Sequence, residues 1–252
     1  MKISVVTAVM NGRQTLPRML ASLKAQEGVD IEHVVQDGGS TDGTVDFLRS
    51  QGHSAMSFVS APDSGIYDAI NAGIQRATGD VIGLLHADDH LATPDVLQMV
   101  AQVMSDPSVD GVYGDLQYVA RDDETRIIRH WRGGANARAK LKRGWMPPHP
   151  TLYLRRDVFD RAGLYDTSYR IAGDYDGMLR FLTKGQVRLA YIPQVMVRMK
   201  IGGVSNRSFA HMISKSREDY RAIRRHKVGG FGTLMAKNLS KLHQFGARPP
   251  QA

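Results

Sequence analysis

The sequence has no cysteine and no hydrophobic run that approaches the roughly 20 residues needed to span a bilayer. Without cysteine, disulfides and zinc–thiolate sites are excluded, and a reducing compartment is the simplest expectation. The N-terminal stretch Met1-Lys-Ile-Ser-Val-Val enters a predicted strand directly and has no signal-peptide cleavage pattern. These absences together predict a cytoplasmic protein.

Two nucleotide-binding motifs are also missing. The sequence has no G-x-G-x-x-G after its first predicted strand and no G-x-x-x-x-G-K-S/T at any position. The first absence disfavours a dinucleotide-dependent oxidoreductase, and the second disfavours a P-loop enzyme.

Net positive charge is missing from most of the chain and concentrated at its end. Residues 198–252 contain twelve Lys and Arg but only two acids, Glu218 and Asp219, which gives a net charge of +10. Residues 1–197 contain twenty-one basic and twenty-three acidic residues, a net charge of −2. A nearly neutral body with a basic tail predicts that the tail meets an anionic partner.

The first ninety residues alternate between two hydrophobic periods. Strands are predicted at 3–9, 31–36, 57–60 and 81–85, with helices at 15–25, 44–50 and 69–77 between them. Such alternation predicts an α/β fold with a mostly parallel sheet and right-handed crossovers. Ligands of these sheets bind beyond the carboxyl ends of the strands.

Polar side chains follow each of the four predicted strands. In strand order, they are Thr7 with Asn11, Asp37, Asp63, and Asp88 with Asp89. Because the carboxyl ends of parallel strands meet at one edge, these side chains are expected to converge on one site.

The stretch Val81-Ile-Gly-Leu-Leu-His-Ala-Asp-Asp-His90 is the most informative of these ends. A buried strand rarely finishes on two adjacent carboxylates, because each disfavours ionisation of the other. A hard divalent cation with oxygen ligands would relieve that repulsion. The alternative is an exposed acidic turn, with Asp89 close to the start of a helix predicted at 95–104.

The second half is less regular. Strands are predicted at 111–119 and 126–131, forming an antiparallel addition at the sheet edge, and a loop is predicted at 133–142. A strand at 151–155 and a helix at 156–163 follow, and the last strand, 187–197, is expected to break at Pro193.

His149 lies in the rigid stretch Met146-Pro-Pro-His-Pro-Thr151, where it either faces a ligand or has no role.

Two carboxylates, Asp174 and Asp176, come just before a helical pattern. One carboxylate suffices to cap a helix, so the other is available for chemistry. If Asp176 is only a cap, its loss should cost about 1 kcal/mol or less.

The basic tail carries two amphipathic stretches, at 209–223 and 231–245. Basic amphipathic helices of this kind fit attachment to an anionic membrane surface. The alternative is that they pack on the domain and present their charge to water.

Five of these stretches, in order, resemble the family-two inverting glycosyltransferases. They are Ser4-Val-Val-Thr-Ala8 with Asn11, Gln36-Asp-Gly-Gly-Ser-Thr-Asp-Gly-Thr44, Asp63-Ser-Gly-Ile-Tyr-Asp-Ala-Ile-Asn-Ala-Gly73, Ala87-Asp-Asp89 and Gly173-Asp-Tyr-Asp176. The resemblance implies a GT-A fold, a Rossmann-like three-layer sandwich around a mostly parallel mixed sheet. It implies a glycosyltransferase domain at 1–205, followed by a basic amphipathic helical extension at 206–252.

The resemblance also implies roles for particular residues. The donor nucleotide would be bound by Thr7, Ala8, Asn11, Asp37, Asp63, Asn71 and Asp88. Asp89, with Asp88, would hold Mg²⁺ or Mn²⁺ at the donor diphosphate, and Asp174 would be the catalytic base. Acceptor or diphosphate contacts would come from His149, Gly203 and Ser205.

Two positions depart from the family pattern. His86 stands where many members have an acidic residue or asparagine, which leaves one carboxylate fewer near the metal. This makes Asp89 the first choice as metal ligand. Gly173 stands where members often have glutamate before the base, so the orientation of Asp174 depends on other contacts.

The function that the resemblance implies is metal-dependent transfer of a sugar, with inversion, from a UDP-, GDP- or dTDP-linked donor to a glycan or lipid-linked acceptor. The protein would act in polysaccharide or lipid-linked glycan synthesis, peripherally on the inner face of the cytoplasmic membrane. A catalytically silent relative that binds sugar nucleotides is an alternative. A sugar nucleotidyltransferase is disfavoured because residues 8–13 contain one glycine and one arginine. Nucleic-acid binding through the tail is disfavoured because the tail aromatics follow helical stripes.

Overall fold

The computed structural model describes residues 1–51, 55–135, 137–200 and 209–240. The strands are β1 (Lys2–Val9), β2 (Asp30–Asp37), β3 (Met56–Ser60), β4 (Val81–Leu84), β5 (Asp89–Leu91), β6 (Gly111–Val119), β7 (Ile127–Trp131), β8 (Tyr153–Arg155) and β9 (Leu189–Lys200). The helices are α1 (Leu16–Lys24), α2 (Thr44–Ser50), α3 (Ile66–Arg76), α4 (Val96–Met104), α5 (Ala137–Lys140), α6 (Arg156–Ala162), α7 (Gly173–Thr183), α8 (Phe209–Arg225) and α9 (Phe231–Ser240).

These strands form one mixed sheet in the order β3-β2-β1-β4-β8-β6-β9-β5, and β7 pairs with β6. The first four strands are parallel: β1 pairs with β2 and β4, and β2 pairs with β3. The parallel sheet predicted from the alternation is therefore confirmed. The carboxyl ends of these four strands open at one edge, and the loops that follow them carry the polar motifs.

The antiparallel part differs from expectation. β6 does pair with β7, but it lies inside the sheet between β8 and β9 rather than at its edge. β9 runs through Pro193 instead of breaking there, because the register between β6 and β9 shifts between Tyr113 and Asp115. An irregularity of this kind tolerates a residue without an N–H. The loop predicted at 133–142 contains α5 and the start of a 3₁₀ turn at Leu141–Arg143.

Apolar cores cover both faces of the sheet, which gives the three layers expected. Leu16, Leu20 and Leu97 of α1 and α4 belong to the core on one face. On the other face, Ile70 and Phe181 of α3 and α7 share a core with Ala222, Ile223 and Leu234 of α8 and α9. The described part of the C-terminal extension therefore packs on the domain. None of the helices within the described ranges is long and apolar enough to cross a membrane.

Candidate active site

The loops after β1 and β2 are tied together by Asn11. This residue has a left-handed backbone with φ of 54°, a conformation that asparagine tolerates better than most residues. Its backbone N–H donates to Ser40 Oγ at 2.7 Å, and its side-chain Oδ1 accepts from the backbone N–H of Thr41 at 3.0 Å. In this structure Asn11 joins two of the loops that the sequence assigned to the donor nucleotide.

Asp37 at the end of β2 is fully buried and fully hydrogen-bonded. Its carboxylate accepts from the backbone N–H groups of Gly39 and Ser40, each at 3.0 Å. It also accepts from the hydroxyls of Ser40 at 2.5 Å and Ser60 at 2.7 Å. Burial acts to raise the pKa of Asp37, but these hydrogen bonds outweigh burial and hold the pKa below its usual range. Asp37 therefore fixes the loop after β2 in place.

Asp63 lies against that same loop. Its Oδ1 accepts from the backbone N–H of Gly65 at 2.9 Å, and the residue is exposed. A Cβ atom built on Gly38 would lie 2.5 Å from Asp63 Oδ2, so any larger residue at 38 would displace this carboxylate. Glycine at position 38 therefore permits the close approach of Asp63 to this loop.

Three other residues were assigned to the donor nucleotide from the sequence: Thr7, Ala8 and Asn71. Thr7 is 0% exposed, and its hydroxyl donates to the backbone oxygen of Leu85 at 2.9 Å. Ala8 is half-buried. The side-chain amide of Asn71 donates to the backbone oxygen of Tyr165 at 2.8 Å and accepts from its N–H at 2.9 Å. As placed, Thr7 and Asn71 use their polar groups to join structural elements, and their nucleotide-binding role stays a prediction.

The Asp88–Asp89 pair divides into one exposed and one buried carboxylate. Asp88 is exposed, whereas Asp89 is 1% exposed, and neither of its carboxylate oxygens has a hydrogen-bond partner. Burial and the neighbouring charge of Asp88 raise the pKa of Asp89 well above its usual value. An unpartnered buried carboxylate is costly, so this position calls for a ligand that supplies positive charge.

A divalent cation fits that requirement. Among the described residues, no three His, Asp or Glu side chains are grouped to hold a metal, so these residues would supply two carboxylates at most. Mg²⁺ is commonly held by one or two carboxylates together with substrate phosphates. Asp89 and Asp88 are therefore the residues that would hold Mg²⁺ or Mn²⁺.

Asp174 lies in the first turn of α7 with a side chain that is 23% exposed, and His149 lies beside it. His149 Nδ1 is 3.1 Å from Asp174 Oδ2, although their alignment does not make a hydrogen bond. The other ring nitrogen of His149 lies 3.4 Å from Nε2 of His86. The structure therefore brings together His149, Asp174 and the unusual His86.

This group lies within electrostatic range of the carboxylate pair. The pKa of His86 is lowered to about 4, by burial and by His149, although the charges of Asp88 and Asp174 act in the opposite direction. Burial raises the pKa of Tyr118 on β6, and the charges of Asp89 and Asp174 add to that effect. His86 and Tyr118 thus each respond to Asp174 and to one carboxylate of the Asp88–Asp89 pair.

Asp174 remains a carboxylate at neutral pH. Burial acts to raise its pKa, but the electrostatic effect of His149, Lys215 and Lys237, together with a hydrogen bond from the backbone of Tyr175, outweighs burial and lowers the pKa. Burial lowers the pKa of His149, and the two lysines add to this, whereas Asp174 acts in the opposite direction. Lys215 and Lys237 thus favour the ionised form of Asp174.

The position of the Tyr67 ring explains why residue 173, directly before Asp174, is a glycine. Its hydroxyl donates to the backbone oxygen of Ile171 at 2.8 Å and lies 3.4 Å from Asp174 Oδ1. A Cβ atom on Gly173 would lie 2.7 Å from the Tyr67 ring, so a glutamate there would displace this tyrosine. Sequence reasoning missed Tyr67, although it lies within the stretch 63–73 that carries the family resemblance.

Helix α8 holds the loop that presents Asp174. The carboxylate of Glu218 accepts from the backbone N–H groups of Arg170, Ile171 and Ala172 at 3.1, 2.9 and 2.8 Å. Sequence reasoning missed this contact as well. The sequence feature that could have pointed to this contact is that Glu218 is one of only two acids in the basic tail.

The other acid of the tail, Asp219, is 1% exposed and lies between Lys215 and Lys237. Its carboxylate accepts from Lys215 Nζ at 3.0 Å and from Lys237 Nζ at 2.7 Å. Lys237 is itself buried, with Nζ 3.0 Å from the centre of the Tyr175 ring. The lysines that act on Asp174 are thereby fixed in position.

Asp176 is not only a helix cap, so the conditional interpretation of it as a cap does not apply. It is 0% exposed, it does not cap the N-terminus of α7, and its Oδ1 accepts from His226 Nε2 at 2.9 Å. The guanidinium of Arg180 lies 3.8 Å from its other oxygen. Asp176 therefore anchors the segment after α8 to α7.

Gly203 and Ser205, assigned to acceptor or diphosphate contacts, lie outside the described residues.

Comparison with known proteins identifies what the chain resembles. The model of the family described as glycosyl transferase family 2 matches residues 4–163. A PGL/p-HBAD biosynthesis glycosyltransferase of Mycobacterium bovis is 33% identical over 211 residues, which cover 81% of this chain and 78% of that protein.

Two solved structures share the fold. S. aureus TarS 1–349 in complex with UDP-GlcNAc superposes with a TM-score of 0.67 at 17% identity, over 90% of this chain and 66% of that one. The mannosyltransferase PcManGT from Pyrobaculum calidifontis, in complex with GDP-Man and Mn²⁺, superposes with a TM-score of 0.63 at 18% identity, over 98% and 76%. This chain thus spans just under two thirds of the TarS fragment, and the fold of both is GT-A.

Proposed function

This chain belongs to glycosyl transferase family 2, and we propose that it transfers a sugar from a nucleoside-diphosphate sugar to an acceptor hydroxyl with inversion at the anomeric carbon. The observation that carries this proposal is the pairing of two carboxylate sites. Asp89 is buried without a hydrogen-bond partner beside exposed Asp88, and Asp174 lies 3.1 Å from His149, whose other ring nitrogen is 3.4 Å from His86, two residues before Asp88.

In the proposed reaction, Asp174 accepts the proton of the acceptor hydroxyl as its oxygen attacks the anomeric carbon. The new carbon–oxygen bond forms on the face opposite the departing nucleoside diphosphate, whose bond to the sugar breaks. A carboxylate with an unperturbed pKa near 4 can accept this proton late in the transition state if it lies within hydrogen-bond reach. Tyr67 Oη and His149 Nδ1 lie 3.4 and 3.1 Å from the two oxygens of this carboxylate.

Asp88 and Asp89 would hold Mg²⁺ or Mn²⁺ at the donor diphosphate. When bound, the ion would offset the negative charge that grows on the leaving group. The unpartnered oxygens of Asp89 support this assignment. The mannosyltransferase neighbour, whose complex contains Mn²⁺ together with GDP-Man, also supports it.

The donor is proposed to be a UDP-, GDP- or dTDP-linked sugar, as the UDP-GlcNAc and GDP-Man complexes of the two neighbours suggest. We propose a glycan or lipid-linked acceptor, consistent with the biosynthetic name of the mycobacterial relative. The expected place of action is the cytoplasmic face of a membrane. A thermal-shift screen of nucleoside diphosphates and their sugars, with and without Mn²⁺, would identify the donor, since tight binding raises the apparent melting temperature.

The test of the base is Asp174→Asn, which keeps the shape of the side chain but removes its ability to accept the proton. We expect kcat to fall by ~10²–10⁴, while calorimetric binding of the donor stays nearly unchanged. The matched control is Asp176→Asn, two residues along α7. It should lower the melting temperature, because Asp176 anchors His226, but should retain most of kcat in the folded fraction.

Normal turnover by Asp174→Asn would overturn the assignment of the base. If Asp176→Asn were then the inactive variant under conditions where it is folded, the base would lie two residues later. If both variants turned over normally, His149 would be the next residue to substitute.

A further inference from the structure

Helices α8 and α9 form an apolar groove on the outer surface of the protein. Its volume is about 430 Å³, and its lining consists of Met212, Ile213, Ser216, Arg217, Tyr220, Phe231 and Leu234. The inner faces of the same helices supply Ala222, Ile223 and Leu234 to the core. The outward apolar side chains are therefore not needed to attach the helices to the domain.

Exposed apolar side chains are concentrated on this surface. Of the eleven large hydrophobic residues exposed within the described ranges, six belong to α8 and α9: Met212, Ile213, Tyr220, Phe231, Met235 and Leu239. Phe231 and Met212 are the most exposed of the six, at 66% and 61%. Large apolar residues clustered in this way mark a surface that contacts another apolar phase or partner.

The groove is bordered by positive charge. Arg217 lines it, and Arg224 lies beside Gly230, directly before Phe231. Residues 209–240 contain seven Lys and Arg and two acids, a net charge of +5. Both acids are engaged on the inner side, Glu218 with backbone amides and Asp219 with two lysines. Lys215 and Lys237 face Asp219 and Arg225 pairs with Asp166, so the positive charge beside the groove comes from Arg217 and Arg224.

We propose that this surface docks on an anionic phospholipid bilayer. Phe231, Met212 and Ile213 would enter the boundary between headgroups and acyl chains, and Arg217 and Arg224 would lie at the lipid phosphates. Exposed aromatic and aliphatic residues bordered by arginine are the composition of helices that lie in a membrane interface. A second copy of the chain fits less well, because it would bring two surfaces bordered by arginine together.

Docking would place the catalytic end of the protein close to the membrane. The outer face of α8 contacts lipid in this arrangement, while Glu218 on its inner face holds the loop that presents Asp174. An acceptor hydroxyl on a membrane-bound molecule would then be brought toward the base. The docking itself goes beyond the proposed glycosyl transfer and does not depend on it.

The experiment is co-sedimentation of the full chain with vesicles of phosphatidylcholine alone and of phosphatidylcholine mixed with phosphatidylglycerol. We expect binding to the anionic vesicles that weakens as salt is raised. Phe231→Glu should lower that partitioning about tenfold or more, since burial of one such side chain accounts for at least that factor. Arg217→Gln should lower it about fivefold.

The control is Ile128→Glu, a comparable charge introduced at a 38% exposed position on β7. It should partition like the wild type, and all three variants should match the wild-type circular dichroism spectrum. Equal partitioning of Phe231→Glu and the wild type would overturn the proposal.

Three other outcomes would also overturn it. A dimer in sedimentation velocity that Phe231→Glu dissociates would assign the groove to a second copy. A loss of thermal stability in Phe231→Glu that disappears when residues 241–252 are deleted would assign it to the C-terminus of the chain itself. Binding to duplex DNA in preference to vesicles, unaffected by Phe231→Glu, would make the tail a nucleic-acid surface.

Discussion

Two buried carboxylates on the site side of the sheet, Asp37 and Asp89, have opposite surroundings. Asp37 accepts four hydrogen bonds, and its pKa lies below the usual range. Asp89 accepts none, and its pKa lies well above the usual range. A satisfied carboxylate stabilises the loop that surrounds it, whereas an unsatisfied one is stabilised only when a ligand arrives. Asp37 therefore belongs to a part of the site that is formed without a ligand, whereas Asp89 belongs to a part that is completed only when a ligand binds.

The largest effect should come from Asp89→Asn. This change removes the proposed metal ligand and should lower kcat/KM by about 10³ or more, because a metal contributes several kcal/mol at a developing charge. In the metal-free protein the same change should leave stability equal to or above that of the wild type, because it removes a buried carboxyl group that has no hydrogen-bond partner. Calorimetric titration with nucleoside diphosphate and Mn²⁺, and thermal melting without metal, measure the two effects.

Asp88→Asn is the matched control for stability, since Asp88 is exposed and its loss should not move the metal-free melting temperature. Unchanged Mn²⁺ dependence of donor binding in Asp89→Asn would rule out Asp89 as a ligand. Clear destabilisation of metal-free Asp89→Asn would mean that this carboxylate is satisfied, and the comparison with Asp37 would fail.

Asp37→Asn should have its main effect on folding. The amide cannot accept all the hydrogen bonds of the carboxylate, and the donors left without partners should cost about 2–3 kcal/mol. The folded pKa of Asp37 lies below its unfolded value, so its contribution is present above pH 4 and is lost as the pH falls through the folded pKa. Urea unfolding of both proteins at pH 7 and pH 3 should show a smaller difference at pH 3, and an equal difference would contradict the assignment.

The parallel half of the fold was predictable because hydrophobic periodicity and turn residues are local signals. They located four strands and the edge where Asp37, Asp63 and Asp89 lie. The same signals misplaced β6, because its neighbours β8 and β9 are distant in the chain and their pairing leaves little trace in its own sequence.

The sequence likewise indicated some residues of the candidate site but not the contacts that hold them. Motifs identified Asp174 and the Asp88–Asp89 pair, but not which of the pair is buried, because burial depends on the pairing of β5 with β9. The contact between Glu218 and the amides of residues 170–172 joins positions 46–48 residues apart. The role of Asp176 depends on His226, 50 residues away. Neither contact leaves a local pattern in the sequence.

The smallest of the three effects in this comparison concerns Glu218, which does for the Asp174 loop what Asp37 does for the loop after β2. Glu218→Gln keeps the size of the side chain but loses the charge and one acceptor oxygen, so some of the three amides lose their partner. The loop should shift slightly, and misplacement of a reacting group lowers the rate rather than the affinity for the donor. We expect kcat to fall about tenfold, equivalent to about 1.4 kcal/mol, with the KM for the donor unchanged.

Glu27→Gln, at an exposed position after α1, is the matched control and should behave like the wild type. A purely structural role for Glu218 would lower the melting temperature and leave kcat of the folded protein unaltered, so the split between kcat and KM decides the question. If the KM for the donor rose while kcat held, Glu218 would act on the donor side, and the parallel between the two satisfied carboxylates would be wrong. The expected result would show that the C-terminal helices position the base as well as complete the core.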